Sequence, residues 1–385
     1  MDFNPCMKHQ LVRKTVREFA EIEIKPHVAQ LDKEGRFPSE IAEKMGPLHY
    51  FGLQVPRHLG GAGLDSISYA IVIEELSRVS ASLGLCVTVH NSVGIYPILA
   101  FGTPEQIQRL VPDMASGSHI GAFCLTEANA GSDAGGVETM ARKTDSGYVI
   151  NGTKIFVTNG GVCDIALVFA VDEQENRVKG KPVANVFVVE KTRPGFLVGE
   201  VEELCGMRAN PVSSLFFEDC TIPETNLLGK HGQGLKIGLS ALDTGRIGIA
   251  AQALGIAQAA FEASLSYARE RQQFNSPLSR FQTIQNYLAE MATGIEASRL
   301  LLYRAAAAKD RGGPFSAQAS MAKLHCSDTA KKVTDLAVQI HGGYGYSKEY
   351  DVERYFRDAK VTQIYEGTSE IQKMVIARDL LTRPS

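Results

Sequence analysis

An α+β fold, helical at both ends and β in the middle, is what the hydrophobic periodicity of this 385-residue chain predicts. Three observations carry that expectation. Apolar residues recur at helical spacing up to about residue 119, short β-branched and aromatic runs replace them from about 121 to 232, and three- and four-residue apolar steps return after Gly234. The changes set the expected boundaries: an N-terminal helical domain over 1–120, a central β domain over 121–232 and a C-terminal helical domain over 233–385.

Taken in order, residues 11–31, 39–51, 67–79 and 104–115 read as helices joined by turns that carry Gly and Pro. In the middle, Tyr148-Val149-Ile150 and Lys154-Ile155-Phe156-Val157 flank Asn151-Gly152, a pair that accepts the positive φ of a type I′ turn, so a hairpin is expected there. Residues 165–171, 186–189 and 215–217 read as further strands. Between Ile247 and Phe261, fifteen residues carry no charge, which predicts a helix buried on all sides and hints at subunit association. Phe281, Ile284, Leu288, Met291, Ile295, Ser298, Leu302 and Ala305 keep the rhythm of a bundle seam, as do Ala322, Cys326, Thr329, Val333, Leu336 and Ile340. The last helix is expected after Gly367, capped by Ser369 with Gln372 completing a capping box, and with Ile371, Met374, Val375 and Leu381 as its apolar stripe.

Composition excludes several classes of function. At 44% hydrophobic and 22% charged residues the chain is long enough for two or three domains, and a net charge of -3 offers no basic stripe for nucleic acid or an anionic membrane. Seven scattered cysteines, never at C-x-x-C spacing, point to reduced thiols inside a cell, and the nine histidines show no metal-ligand spacing. The N-terminus lacks a basic and apolar leader, and no run reaches the roughly 18 apolar residues of a membrane span, so a cytoplasmic protein is expected. G-x-G-x-x-G after a strand and G-x-x-x-x-G-K-[ST] are both missing, which argues against Rossmann and P-loop enzymes.

Four constellations offer chemistry. Glu366 stands beside Gly367 just outside the last helix, where glycine lets another group approach; the residue reads either as a catalytic base or as a surface carboxylate favoured by the helix dipole. The stretch from Phe123 to Asp133 is rich in hydroxyls and glycine and is suited to presenting donors to an anionic or heteroaromatic ligand, though a plain turn reads equally well. Asp243 and Arg246 form an i,i+3 pair at the end of the uncharged helix. Gln339-Ile340-His341-Gly342-Gly343-Tyr344-Gly345-Tyr346 closes a bundle helix with glycines whose bare backbone is open to a C-cap or to a cofactor.

Together with Leu125-Thr126-Glu127, Lys154 to Gly160, Leu242 to Arg246, Arg271-Gln272-Gln273-Phe274 and Ile364 to Glu370, these motifs resemble the acyl-CoA dehydrogenase family over essentially the whole chain. The resemblance implies an N-terminal helical domain, a β-barrel-like middle and a C-terminal four-helix bundle, with FAD as cofactor, a homotetramer as assembly and electron-transfer flavoprotein as acceptor. It implies that Phe123, Leu125, Thr126, Gly131, Ser132, Phe156, Val157 and Thr158 hold the isoalloxazine ring. Arg271, Phe274, Gln282, Gln339, Gly342 and Gly343 would reach the diphosphate and adenosine part across a subunit boundary, and Thr368, Ser369 and Glu370 would line the cofactor. Ser132, Asp243, Thr244, Arg246 and Gly367 would contact the acyl-CoA thioester, and Glu366 would take the proton next to its carbonyl while the neighbouring carbon gives up hydride. Bound substrate is expected to raise the pKa of Glu366 by excluding water.

Departures from the family pattern narrow the expectation. Phe156 and Ala128 stand where many relatives carry Trp and Pro, and Gly245 stands where some members place an alternative base. No Arg occurs near residues 84–92 to pair with a dicarboxylic acyl group, which argues against glutaryl-CoA. His90 and Asn91, in the segment that lines the acyl pocket in relatives, read either as a sign of a branched or alicyclic substrate or as ordinary bundle hydrogen bonds. The expected reaction is dehydrogenation of a short-chain acyl-CoA to the 2-enoyl-CoA, with branched or alicyclic substrates, an oxidase and a non-catalytic scaffold as alternatives.

Overall fold

The computed structural model describes residues 6–174 and 183–382. Helices come first: α1 (Met7–Phe19), α2 (Val28–Glu34), α3 (Ser39–Met45), α4 (Ser66–Val79), α5 (Ala81–Val89), α6 (Tyr96–Phe101) and α7 (Pro104–Ser116). The run expected over 11–31 is interrupted by a π turn and a 3₁₀ turn at Lys25–His27, because Pro26 brings no N–H to a helix ladder. The run over 39–51 stops at Met45, before Gly46 and Pro47, and resumes as a 3₁₀ turn at Tyr50–Gly52. Asp65 caps α4 by accepting from the Ser68 N–H, and Thr103 with Gln106 forms a full capping box on α7.

Helix α5, a π turn at His90–Ile95 and α6 form a continuous segment that the periodicity reading passed over. Ala81–Phe101 is long and apolar enough to cross a membrane by length and composition, contrary to the expectation that no run is, but 83% of its apolar window is buried inside the protein. Burial on every side removes the alternation from which a period is read.

Strands follow: β1 (Gly121–Cys124), β2 (Met140–Thr144), β3 (Gly147–Val157), β4 (Ile165–Asp172), β5 (Ala184–Glu190), β6 (Phe196–Val201), β7 (Ser213–Pro223) and β8 (Leu227–Leu228). They form one sheet in the order β6-β7-β3-β2-β4-β5-β8, with β1 parallel to β4. Both faces of β4 are buried. Ile165, Leu167 and Phe169 pack with Ile98, Leu110 and Val111 of α6 and α7, while Ala166, Val168 and Ala170 pack with Tyr148, Phe187 and Phe217 inside the sheet. The hairpin expected at Asn151-Gly152 is not there. Strand β3 runs straight through that pair, and the turn lies between Thr144 and Gly147. Pairing on both sides with β2 and β7 outweighs the local preference, and Asn151 instead exchanges hydrogen bonds with Asp219 at a bulge.

The C-terminal part holds α8 (Gly234–Glu270), the two-residue strands β9 (Gln272–Gln273) and β10 (Ser276–Pro277), then α9 (Gln282–Asp310), α10 (Ser316–His341), α11 (Val352–Val361) and α12 (Ser369–Thr382). Helix α10 packs against α8 and α9, and α11 and α12 both pack against it, which builds the C-terminal bundle. Met291, Ile295, Ser298, Leu302 and Ala305 are buried as their spacing predicts. Helix α8 is buried without a break from Thr244 to Ala257, yet α4, α5, α9 and α10 of the same chain cover it. Its apolar run therefore carries no argument for subunit association. The N-terminal helices and the bundle share one core, in which Tyr69, Ile73 and Leu76 meet Ile247, Leu254 and Met291.

Candidate active site

The turn between α11 and α12 is built on two left-handed residues, Glu366 at φ 51° and Gly367 at φ 94°. Such a φ is uncommon for a residue with a side chain and persists where the surroundings hold it. Three hydrogen bonds do so: Gln372 Nε2 donates to the Glu366 carbonyl at 3.3 Å and the Gly367 carbonyl at 2.8 Å, and Lys323 Nζ donates to the Gly367 carbonyl at 2.8 Å. The expected Ser369 capping box is absent. Ser369 Oγ is buried without a partner, Thr368 Oγ1 accepts from the Ile371 N–H at 3.4 Å, and Gln372 is spent on the turn. The stripe expected on α12 is split: Ile371 and Val375 are half-buried, and Ile371 lines the site cavity, whereas Met374 is 60% and Leu381 86% exposed.

This turn aims the Glu366 carboxylate at α8. A methyl group built on Gly245 would overlap the carboxylate, so the absence of a side chain at 245 is what admits the one at 366. Both carboxylate oxygens are shut from solvent and accept no hydrogen bond among the described residues. Burial pushes the pKa up to about 8, against the pull of Lys323 and Arg246. The rise precedes any substrate, which corrects the expectation that substrate supplies it. Arg246 is held by Asp243 at 2.7 Å and by Ser320 at 3.3 Å, and Asp243 also accepts from Ser316.

Glu366 lines a cavity of about 180 Å³ together with Arg246, Gly367 and seven residues expected to hold a flavin ring: Phe123, Leu125, Thr126, Gly131, Ser132, Phe156 and Thr158. Phe156 sits at φ 52° and is 59% exposed, and nothing lies within 4 Å of a Cβ added at Gly131. The hydroxyls of Thr126 and Thr158 make no hydrogen bond among the described residues. An open aromatic face beside two unengaged hydroxyls fits a flat heteroaromatic ring with polar edges. Glu127 clamps the loop that carries these residues. Its carboxylate accepts from the Glu138 and Thr139 N–H groups, from Thr139 Oγ1 and from the fully buried Lys154 at 2.5 Å. Burial acts to raise its pKa, but these bonds prevail and lower it.

Other expected residues lie elsewhere. Val157 points into the sheet core, Thr244 is buried with its hydroxyl unpaired, and Asp243, Ser369, Thr368 and Glu370 do not line the cavity. Arg271, Phe274, Gln282, Gln339, Gly342 and Gly343 form a separate group at one end of the bundle. There the Arg271 guanidinium lies 5.4 Å from the Tyr344 ring, Phe274 is 91% exposed, and both glycines open onto free space. Phe274 and Asn275, at φ 51° and 55°, make the two-residue left-handed turn expected at Asn151-Gly152.

The sequence reading missed Leu85, Val89, Val93, Leu239 and Tyr365 as cavity residues. His90 and Asn91 are engaged internally: His90 Nδ1 accepts from the Gly121 N–H at 2.8 Å and its Nε2–H donates to the Met114 carbonyl, while Asn91 bonds Leu53, Tyr50 and Val87. Burial holds His90 neutral, with a pKa near 4. A larger cavity of about 530 Å³ lies between Arg78, Tyr267 and Arg354, and none of the site residues lines it.

Three family models match in register with this architecture: the acyl-CoA dehydrogenase N-terminal domain over residues 7–118, the middle domain over 122–220 and the C-terminal domain over 232–381. The chain belongs to the acyl-CoA dehydrogenase family. It is 47% identical over 377 residues to the short-chain specific acyl-CoA dehydrogenase of Clostridium acetobutylicum, covering 98% of this chain and 99% of that one. The solved butyryl-CoA dehydrogenase of Megasphaera elsdenii superposes with a TM-score of 0.96 at 43% identity, over 99% of this chain and all of that one. A chain in a structure described as the electron transferring flavoprotein of Acidaminococcus fermentans is 45% identical, with a TM-score of 0.96 and full coverage of both. Membership makes this acyl-CoA dehydrogenase a flavoprotein oxidoreductase acting on acyl-CoA.

Proposed function

We propose that this enzyme is FAD-dependent, converts a linear short-chain acyl-CoA to its 2-enoyl-CoA, and uses Glu366 as the base. The observation that carries this reading is a carboxylate with both oxygens buried, unbonded and facing the cavity that Phe156 and Thr158 also line. A carboxyl pKa of about 8 matches the task of taking a proton from a weak carbon acid near neutral pH. FAD, when bound, supplies the acceptor for the hydride of the adjacent carbon. Phe123, Phe156, Thr126 and Thr158 would hold its ring, and Leu85, Val89, Val93 and Leu239 would exclude water around the acyl chain. With His90 and Asn91 consumed inside the protein, no polar group from them is left to select a branched or alicyclic chain.

The remaining proposals concern assembly. Arg271, Phe274, Gln282, Gln339, Gly342 and Gly343 lie away from Glu366, so they would serve the diphosphate and adenosine of a neighbouring subunit's FAD, as a homotetramer arranges. Exposed Phe274, Met374 and Leu381 support burial between copies. Three domains over 1–120, 121–232 and 233–385 and a cytoplasmic location complete the reading, the latter supported by seven free cysteines. Likeness to the Acidaminococcus structure supports electron-transfer flavoprotein as the partner.

The test is anaerobic. Purified yellow protein is mixed with butyryl-, octanoyl-, isovaleryl- and glutaryl-CoA, and flavin bleaching is followed. Butyryl-CoA is expected to bleach fastest; bleaching by none of them overturns the reading, and reoxidation by air without dye or electron-transfer flavoprotein would make the enzyme an oxidase.

A further inference from the structure

Lys323 lies on α10 and is fully buried. A buried ammonium is costly without a counter-charge, so its presence calls for one. Its ammonium donates to the Gly367 carbonyl at 2.8 Å, on the carboxyl side of Glu366, and among the described residues no carboxylate lies within ion-pair distance of it. The charges that act on the Glu366 carboxylate are Arg246 from α8 and Lys323 from α10; Asp243 faces Arg246, and Asp328 faces Lys323. The phenols of Tyr69 and Tyr365, both kept neutral by burial, and the exposed Glu370 complete the surroundings. Arg246 is already paired with Asp243 at 2.7 Å. That leaves Lys323 as the cation that balances Glu366 when the carboxyl ionises.

We propose that Lys323 is a positioning residue for Glu366: fastened to the Gly367 carbonyl, it fixes the left-handed turn that aims the carboxylate and serves as its buried counter-charge without touching it. The separation matters chemically. A contact ion pair would occupy the lone pair that must take the substrate proton and would pull the carboxyl far down, whereas a cation held on the neighbouring carbonyl stabilises the carboxylate and leaves both oxygens free. The lysine shares the field in return, since burial lowers it to about 8 while Glu366 draws it upward. The proposal rests on Glu366 being the base.

The test compares Lys323→Met, which removes bond and charge, with Lys323→Gln, which keeps an N–H donor and removes the charge. FAD content and the pH dependence of kcat/KM for flavin bleaching by butyryl-CoA are measured on the holoenzyme, with Glu366→Gln alongside. Both Lys323 variants are expected to move the acid limb upward by about one pH unit, so that each loses roughly tenfold at pH 7 and recovers above pH 9. Lys323→Gln is expected to keep its KM closer to the parent. If both hold FAD and the acid limb stays in place, the proposal is overturned; if Lys323→Met does not fold, Lys323→Gln decides alone. A Glu366→Gln enzyme that still bleaches its flavin would instead sink the assignment of the base, which separates the two failures.

Discussion

Glu366 should make this enzyme unusually sensitive to pH near neutrality. A carboxyl with a pKa of about 8 is only about one-tenth ionised at pH 7. The value of kcat/KM for anaerobic flavin bleaching reports the free enzyme, and it should rise nearly tenfold from pH 6 to 7, then level off above 8. Because Lys323 titrates in the same range, the limb belongs to the Glu366–Lys323 pair. Glu366→Gln should abolish the limb and lower bleaching by about 10²- to 10⁴-fold at pH 8, with FAD retained. Stability should move in the reverse direction. A raised folded pKa means the native state keeps a proton that the unfolded chain releases from pH 4.5 upward, so stability is lost as pH climbs from 4.5 to 8. The loss is at most about 5 kcal/mol at about 1.4 kcal/mol per unit. The melting temperature of Glu366→Gln should therefore exceed that of the parent by a margin that widens between pH 5 and pH 8. An acid limb centred near 4.5, or a margin that does not depend on pH, would refute the claim that the carboxylate is buried before substrate arrives.

Gly245→Ala should slow flavin bleaching by about 10²-fold with FAD content unchanged, because the new methyl displaces the Glu366 carboxylate; stopped-flow mixing with butyryl-CoA measures it. Glu127→Gln strands the ammonium of Lys154 in the protein interior and should cost about 3–5 kcal/mol, read as a lower denaturant midpoint and earlier flavin release. Arg271→Ala should lower FAD retention on dialysis while circular dichroism stays that of the parent, since the half-buried guanidinium lies over the half-exposed Tyr344 ring and is not part of the core.

The parts of the fold that show a period were legible from the residues alone. Met291, Ile295 and Leu302 are buried as their spacing predicts, and 215–217 falls within the first half of β7. Elements without contrast were not: α5 is buried on every face, so no apolar–polar alternation marks it. Asn151-Gly152 misled for a different reason, since a turn preference worth a fraction of a kcal/mol cannot compete with a strand paired on both sides. In the site, residues clustered along the chain near 125, 156 and 366 were found together with Arg246. Leu85, Val89 and Lys323 were not, because a leucine or lysine at a helical position carries no local mark of what it faces across the fold.

Three separate devices keep hydrogen-bond donors off the Glu366 carboxylate. Gly245 offers only a Cα, Arg246 is turned aside by Asp243 and Ser320, and Lys323 is spent on a backbone carbonyl. For stability this is a poor arrangement, since any one donor at contact would lower the cost of burial by a kcal/mol or more. For a base it is the useful one. A carboxylate satisfied by a donor must give up that bond before it accepts a proton, and the bond would depress its pKa away from the working range. The cations remain close enough to keep the charged form accessible and far enough to leave it reactive. The strained φ at Glu366 belongs to the same logic, because a relaxed helical turn at 366 would carry the carboxylate along with α12 and its solvent-facing Met374, away from the one glycine on α8 that has room for it.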